Sequence, residues 1–191
     1  MAKNNDEITV AGFGGSFRKG SYNGMLLREA QRLMPPSSRL EIVDISGIPI
    51  YNQDNEYEDN IHIIKFRNAI KNSGGFLVVT PEYNYSIPGF LKNAIDSVSR
   101  PPDLNPFPGK PGAIMSASMS MLGGSRAQYH LRQVFTFLDA RIVNKPEVFI
   151  SFANTKFDEN GHLKDEMAIK FIRELLEKLV ISARSSLKTQ P

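Results

Sequence analysis

The sequence contains no cysteine among its 191 residues. Disulfide bonds, thiolate catalysis and cysteine-ligated iron–sulfur or zinc sites are therefore excluded, and a reducing compartment is compatible with this absence. The chain also lacks any apolar run near the roughly 18 to 20 residues that a membrane helix requires. The opening stretch MAKNNDEI has no apolar segment of the kind found in signal peptides. We therefore expect a soluble, cytoplasmic protein with no membrane partner.

A large excess of one charge is absent as well. The chain has 23 Lys and Arg residues against 20 Asp and Glu residues, a formal net charge of +3, and its basic residues are scattered among acidic ones. Nucleic-acid surfaces usually concentrate their basic residues in one stripe, so we expect no nucleic-acid partner. His62, His130 and His162 are far apart and form no pair with metal-ligand spacing, so we predict no metal site.

Apolar runs rich in β-branched residues alternate with segments of helical period, and 41% of the residues are hydrophobic. This pattern predicts one α/β domain over residues 1–191, a doubly wound three-layer sandwich with a five-stranded parallel sheet. The predicted strands are Ile8–Gly14, Leu40–Asp44, Gly75–Thr80, Gly112–Ser118 and Glu147–Ser151. The predicted helices are Tyr22–Met34, Pro88–Ser99 with Ser86 as a possible cap, Ser125–Ala140 and Lys164–Ala183. Two polar or proline-rich segments, Gly47–Asn60 and Arg100–Pro111, are predicted to be ordered loops.

The stretch GFGGSFRKGSYN, Gly12 to Asn23, joins the first predicted strand to the first predicted helix. A dinucleotide-binding loop would have the pattern G-x-G-x-x-G, but its third glycine position is occupied here by Phe17. A triphosphate-binding loop would place Lys and a hydroxyl residue after Gly20, where this chain has Ser21 and Tyr22. The loop therefore fits neither of these two common phosphate-binding patterns.

The same loop nevertheless carries several groups that bind phosphate. Ser16, Ser21 and Asn23 offer hydrogen-bond donors, Arg18 offers a forked cation, and the helix that follows presents backbone N–H groups at its N-terminus. This set suits one compact dianionic phosphate. The alternative is that the glycine, serine and asparagine residues only form a tight, capped turn.

A second motif, TPEYNYSIPGFLKNAID from Thr80 to Asp96, follows the third predicted strand. Aromatic side chains and backbone amides at such a strand end can border a flat heterocycle, although Tyr83 and Tyr85 could equally be ordinary packing residues. A monophosphate loop and a ring-binding loop on one five-stranded sheet together indicate a flavin mononucleotide (FMN) site of flavodoxin type. That fold has the strand order 2-1-3-4-5.

At these motifs the sequence resembles the NADPH-dependent FMN reductases, and within them the soluble quinone and chromate reductases. The family pattern G-S-[LF]-R-x-x-S-x-N matches from Gly15 to Asn23, and PEYN matches from Pro81 to Asn84. The similarity continues through GGSRAQYHLRQVFTFLDA and NKPE and covers nearly the whole chain.

The resemblance implies an oxidoreductase that takes electrons from NADPH or NADH through bound FMN and reduces quinones, and adventitiously chromate, other metal oxyanions or azo compounds. It implies no catalytic side chain, because the flavin carries the chemistry. Three segments are implied to hold the phosphate, border the isoalloxazine ring and close on its pyrimidine side. The implied cofactor-binding residues are Ser16, Phe17, Arg18, Lys19, Gly20, Ser21, Tyr22, Asn23, Pro81, Glu82, Tyr83, Asn84, Tyr85, Ser118, Gly123 and Gly124.

The resemblance also implies a homodimer or homotetramer, with Arg126, Tyr129 and Glu147 as candidates for polar interface contacts. The alternative is a surface ion pair and a half-buried tyrosine within one subunit.

Two other functions remain open from the residues. One is a flavodoxin-like electron carrier without nicotinamide activity, although flavodoxins are usually strongly acidic and this chain is mildly basic. The other is a Rossmann-type dehydrogenase or nucleotide-binding regulator in which Asp44 binds a ribose, which Phe17 in the third-glycine position disfavours.

Overall fold

A computed structural model describes residues 7–188. Within these residues, parallel strands form a single sheet in the order β2-β1-β3-β4-β5, and β6 also pairs with β4. The strands are β1 (Ile8–Gly14), β2 (Ser38–Ile42), β3 (Gly75–Thr80), β4 (Pro111–Ala117), β5 (Arg141–Ile142) and β6 (Val148–Ile150).

Helices cover both faces of this sheet. They are α1 (Tyr22–Arg32), α2 (Ile61–Asn72), α3 (Gly89–Val98), α4 (Ser125–Phe137), the short α5 (Ala153–Lys156) and α6 (Glu166–Lys188). Side chains of α1 and α6 form one hydrophobic cluster with the sheet, and those of α2, α3 and α4 form the other. The predicted three-layer α/β sandwich with strand order 2-1-3-4-5 is therefore confirmed.

The central strand β3 shows how the sequence produces this arrangement. All six of its residues, GFLVVT, are buried, as expected for a strand covered on both faces. Successive side chains point to opposite faces of a strand, so Leu77 and Val79 pack in the α1 and α6 cluster, while Phe76 and Val78 pack in the other. The strand thus contributes to both halves of the core.

The fifth strand position differs from the prediction. It contains two short strands, β5 and β6, instead of the one predicted at Glu147–Ser151. Between them, residues 143–147 include Pro146, which has no N–H group for the ladder. A two-residue strand such as β5 is too short to produce a recognisable alternation in the sequence.

The helix α2 is absent from the predicted elements. The buried side of this helix faces the core with Phe66 and Ile70, which are four residues apart. Asn60 caps its N-terminus, because Asn60 Oδ1 accepts hydrogen bonds from the backbone N–H groups of His62 at 3.0 Å and Ile63 at 3.3 Å. The capping asparagine was the local signal for this helix.

The predicted Ser86 cap is wrong. The helix α3 begins after Pro88, and among the described residues no side chain caps it. Ser86 instead places its hydroxyl 2.8 Å from His130 Nδ1 on α4. Within residues 7–188, no helix is both long enough and apolar enough to cross a membrane.

Candidate functional site

Three loops meet at one edge of the sheet. The register pairs Gly14 of β1 with Val79 of β3, and Thr80 of β3 with Ser116 of β4, so these strands end side by side. The chain winds in opposite directions from β1 to its two neighbours, and open α/β sheets bind ligands at such a switch point. We call the loops after β1, β3 and β4 the first loop (residues 15–21), the second loop (81–88) and the third loop (118–124).

The first loop runs close to β3 before it enters α1. Gly15 donates its backbone N–H to Val79 O at 2.9 Å. A Cβ atom at Gly15 would lie 2.8 Å from Thr80 Oγ1, so any larger residue here would force its neighbours to shift. Ser21 then caps α1 by accepting a hydrogen bond from Gly24 N at 3.3 Å.

The N-terminus of α1 is electropositive. The backbone N–H groups of Tyr22 and Asn23 lie in the first turn, where a helix supplies no acceptor of its own. All residues of α1 lie within the described range, and its first turn contains no acidic residue. The exposed cations Arg18 and Lys19 precede it, and the sequence from 15 to 28 has no carboxylate. This donor set favours an anion.

Phe17 lies on the side of the first loop that faces α3. Its ring centroid is 4.2 Å from that of Phe90, with an interplanar angle of 31°, while half of the residue stays exposed. The aromatic contact anchors the loop to α3.

Asn23 has a structural role that the sequence analysis did not identify. Its buried side chain donates from Nδ2 to Ala117 O at 2.8 Å and accepts at Oδ1 from Ala117 N at 2.9 Å. Both polar atoms of the amide are therefore engaged with the end of β4. The side chain fixes the N-terminus of α1 against the start of the third loop.

The second loop contains a strained turn. Tyr83 and Ser86 exchange two backbone hydrogen bonds of 3.0 and 2.9 Å, which close a two-residue turn at Asn84 and Tyr85. These central residues have φ values of +49° and +69°, a conformation that costs an L-residue roughly 1 kcal/mol. Such strain is concentrated at functional sites. Tyr83 and Tyr85 are 49% and 68% exposed, and both place aromatic rings at the sheet edge.

Glu82 joins the second loop to α4. Its side chain is only 9% exposed, and its Oε1 accepts a hydrogen bond from Arg126 Nε at 2.5 Å. Its Oε2 accepts from the backbone N–H of Arg126 at 3.2 Å. The hydrogen bond to Glu82 raises the pKa of Arg126. The guanidinium carbon also lies 3.6 Å from the centroid of the Tyr85 ring.

The third loop turns through two glycines before α4. Gly123 and Gly124 have φ values of +59° and +88°, and a Cβ atom at Gly124 would lie 2.8 Å from Ser116 Cβ. At the start of the loop, Ser118 accepts a hydrogen bond at its Oγ from Ser120 N at 3.1 Å. The loop is therefore compact and closely packed on β4.

Gln128 and Ser116 support the third loop from within the core. Ser116 Oγ donates to Gly123 O at 2.6 Å, and Gln128 Nε2 donates to Ser116 Oγ and to Val148 O, both at 2.8 Å. Neither residue was predicted from the sequence. The available signal was that Gln128 lies at helical spacing with the buried Leu131 and Phe135, where a polar residue needs partners.

The remaining candidates lie outside these three loops. Tyr129 is 47% exposed, with its ring 6.2 Å from that of Phe149, and Glu147 forms an ion pair with Lys145 at 3.2 Å. Asp44 accepts a hydrogen bond from Ser46 N at 2.9 Å, which lowers the pKa of Asp44 and holds its carboxylate in a local turn.

The family of NADPH-dependent FMN reductases matches residues 8–155 of this sequence. The chain belongs to this family. As an NADPH-dependent FMN reductase it is an oxidoreductase that uses FMN with a reduced nicotinamide as co-substrate. The strand order and this membership together show that the Rossmann-type interpretation is wrong.

Individual proteins similar to this FMN reductase agree with the assignment. An NAD(P)H-dependent FMN reductase of Pseudomonas aeruginosa is 49% identical over 94% of the chain and 97% of its own length. A quinone reductase of Escherichia coli is 42% identical over 84% of the chain and 87% of its own length. The solved structure of the flavoenzyme NAD(P)H:acceptor oxidoreductase FerB from Paracoccus denitrificans superimposes with a TM-score of 0.86 at 30% identity. That alignment covers 94% of this chain and 98% of FerB.

Proposed function

We propose that this FMN reductase is a quinone reductase that transfers electrons from NAD(P)H through FMN. The observation that carries the proposal is the meeting of an electropositive loop and a loop with exposed tyrosines at the switch point of the sheet. The quinone reductase name of the E. coli relative supports the same acceptor class.

The first loop fits the single phosphate of FMN. Arg18 would supply a charge-assisted hydrogen bond, Ser16 a hydroxyl, and α1 the backbone N–H groups of its first turn. No carboxylate in residues 15–28 would repel the dianion. Residues 16–23 are thus the phosphate-binding segment of this proposal, with Ser21 and Asn23 acting mainly by holding the helix end in place.

The second and third loops would bind the flavin ring. Residues 81–85 would border the isoalloxazine, and Ser118, Gly123 and Gly124 would close on its pyrimidine side. When bound, FMN accepts a hydride from the nicotinamide and passes electrons to the acceptor. The protein's own part is to orient the ring and to leave one of its faces open, so that nicotinamide and acceptor bind there in turn. An open face would also admit chromate, other metal oxyanions or azo compounds.

An anaerobic spectroscopic experiment tests this proposal. The purified protein should be yellow or should take up added FMN, its flavin band should bleach on addition of NADPH or NADH, and a quinone should restore the band. A flavin band that NADPH and NADH leave unchanged would support an electron carrier instead. A reduced flavin that a quinone does not reoxidise would contradict the proposed acceptor class.

We also propose that the protein is a cytoplasmic homodimer or homotetramer. A groove of about 790 Å³ lies between α3 and α4, and Phe137 beside it is 82% exposed. The groove and the exposed Phe137 ring together form a candidate surface for a second subunit. Tyr129 and Glu147 remain candidates for polar contacts, whereas Arg126 already binds Glu82 within the chain. Size-exclusion chromatography with light scattering would measure the assembly, and a monomer at micromolar concentration would contradict it.

A further inference from the structure

We propose that Glu82 and Arg126 are positioning residues that hold the second loop in the conformation that receives the flavin ring. The proposal rests on the proposed function, because it assumes that FMN binds between these loops. It assigns the Glu82 side chain a contact with α4, within the segment that would border the ring.

The turn in the second loop needs outside support. Its two central residues, Asn84 and Tyr85, are both in the left-handed region, and tyrosine is disfavoured there by its side chain. Within residues 7–188, the turn is closed from within by the two backbone hydrogen bonds between Tyr83 and Ser86 alone. A strained conformation persists where the surrounding structure fixes it. Arg126 contacts this segment at two points, at Glu82 directly before the turn and at Tyr85 inside it.

The Glu82 carboxylate is committed to Arg126. One oxygen accepts from the guanidinium and the other from the backbone N–H in the first turn of α4. The carboxylate therefore also meets the positive end of the α4 dipole. Because the side chain is only 9% exposed, losing either contact would leave a poorly solvated charge. The pair thus has a strong preference for one geometry.

The Arg126 guanidinium holds the Tyr85 side chain as well as Glu82. With its carbon 3.6 Å from the Tyr85 centroid, Arg126 is within cation–π distance of the ring. Along the chain, Ser125 alone separates Arg126 from the Gly123 and Gly124 turn of the third loop. One residue therefore ties together the second loop, the Tyr85 ring and the end of the third loop, so the two loops proposed to bind the ring keep a fixed separation.

The variant that tests the pair is Glu82→Gln, which keeps the size of the side chain and removes its charge. In the FMN-free protein, we expect the Tyr83 and Ser86 amides to exchange with solvent about tenfold faster, as loss of a charge-assisted contact predicts. In the loaded protein, we expect the Kd for FMN to rise about tenfold. Arg126→Lys, which keeps the charge without the planar fork, should show a smaller change in both measurements.

The matched control is Glu174→Gln, which breaks the exposed ion pair between Glu174 and Lys178 on α6 and removes the same charge. It should change neither amide exchange in the second loop nor the Kd. Urea unfolding of each variant separates local loosening from a general loss of stability. If Glu82→Gln does not fold, the same measurements on Arg126→Lys decide the proposal.

The outcomes distinguish this proposal from the function on which it rests. Unchanged exchange and Kd in both Glu82→Gln and Arg126→Lys would overturn the positioning role while leaving FMN binding intact. A wild-type protein that does not bind FMN would overturn the proposed function, whatever the exchange rates show. Faster exchange confined to the second loop, together with weaker FMN binding, would support both.

Discussion

Arg18 is the residue on which the phosphate assignment can be tested most directly. The guanidinium is exposed, and its contact with Gly20 O is long, at 3.4 Å, so the folded protein depends little on it. We expect Arg18→Ala to weaken FMN binding by about 1.5 to 3 kcal/mol, the value of a charge-assisted hydrogen bond, without changing stability. Titration of the FMN-free protein with FMN would measure this. The control is Arg173→Ala, which removes the same charge from an exposed position on α6; equal affinities of the two variants would place the phosphate elsewhere.

Asn23 should behave in the opposite way, because its side chain is part of the fold. Removal of the amide in Asn23→Ala leaves the N–H and C=O of Ala117 without their partner in a buried setting. We expect the free energy of unfolding of the FMN-free protein to fall by about 2 kcal/mol or more. Urea unfolding would measure the change, and an unaltered midpoint would argue that the amide serves the ligand alone.

Two glycines at the starts of helices allow a matched test at the level of the element. Gly124 precedes α4 with φ of +88°, and a Cβ atom added there would lie 2.8 Å from Ser116 Cβ, whereas a Cβ atom added at Gly89 in α3 would meet no atom within 4 Å. We expect Gly124→Ala to destabilise the protein by about 2 kcal/mol or more, through backbone strain and the clash. Gly89→Ala should stabilise it by about 0.5 kcal/mol.

Thermal or urea unfolding of the two variants would give both values under identical conditions. A Gly124→Ala variant as stable as the wild type would show that the third loop can relax, and its hold on β4 would then be weaker than the contacts indicate.

Elements with a strong local pattern were predictable from the sequence, and those fixed by distant contacts were not. The strands β1 and β3 are continuous apolar runs, and α1 and α4 carry regular apolar faces, so their existence follows from periodicity. The fifth strand position is divided into β5 and β6 by pairing with β4, which no local pattern reveals. The helix α2 has few buried residues, so its apolar periodicity is weak.

The candidate site shows the same limit. The motifs indicated which loops meet, because parallel strands end at one edge of the sheet. They did not reveal that Glu82 binds Arg126, 44 residues away, or that Asn23 binds Ala117, 94 residues away. Such pairings depend on the assembled fold, and no local spacing encodes them.

The pH dependence of stability belongs to the whole molecule. Asp44, Asp158 and Asp165 all have pKa values lowered from the ordinary 3.8. The main causes are hydrogen bonds from the backbone of Ser46, from the backbone of His162 and from the side chain of Lys156. A carboxyl with a lowered folded pKa adds stability above its unfolded pKa, and this contribution is lost as the pH falls through the folded value.

We therefore expect the free energy of unfolding to change little between about pH 7 and 5 and to fall below about pH 4. Urea unfolding across this range on the FMN-free protein would measure it. In Asp165→Asn the fall should be shallower, because the Lys156 pair is already lost. A free energy of unfolding that rises on acidification from pH 5 to 3 would contradict the lowered pKa values of these carboxyl groups.

The interrupted strand beside β4 affects how copies of this chain can associate. An exposed, continuous edge strand invites another extended segment to add to the sheet, which is the first step of fibril growth. Here β5 has two residues and β6 has three, and Pro146 between them offers no N–H. The opposite edge strand, β2, carries the charged Arg39 and Glu41. Both borders of the folded sheet thus resist strand addition, which protects folded copies from aggregating through their edges.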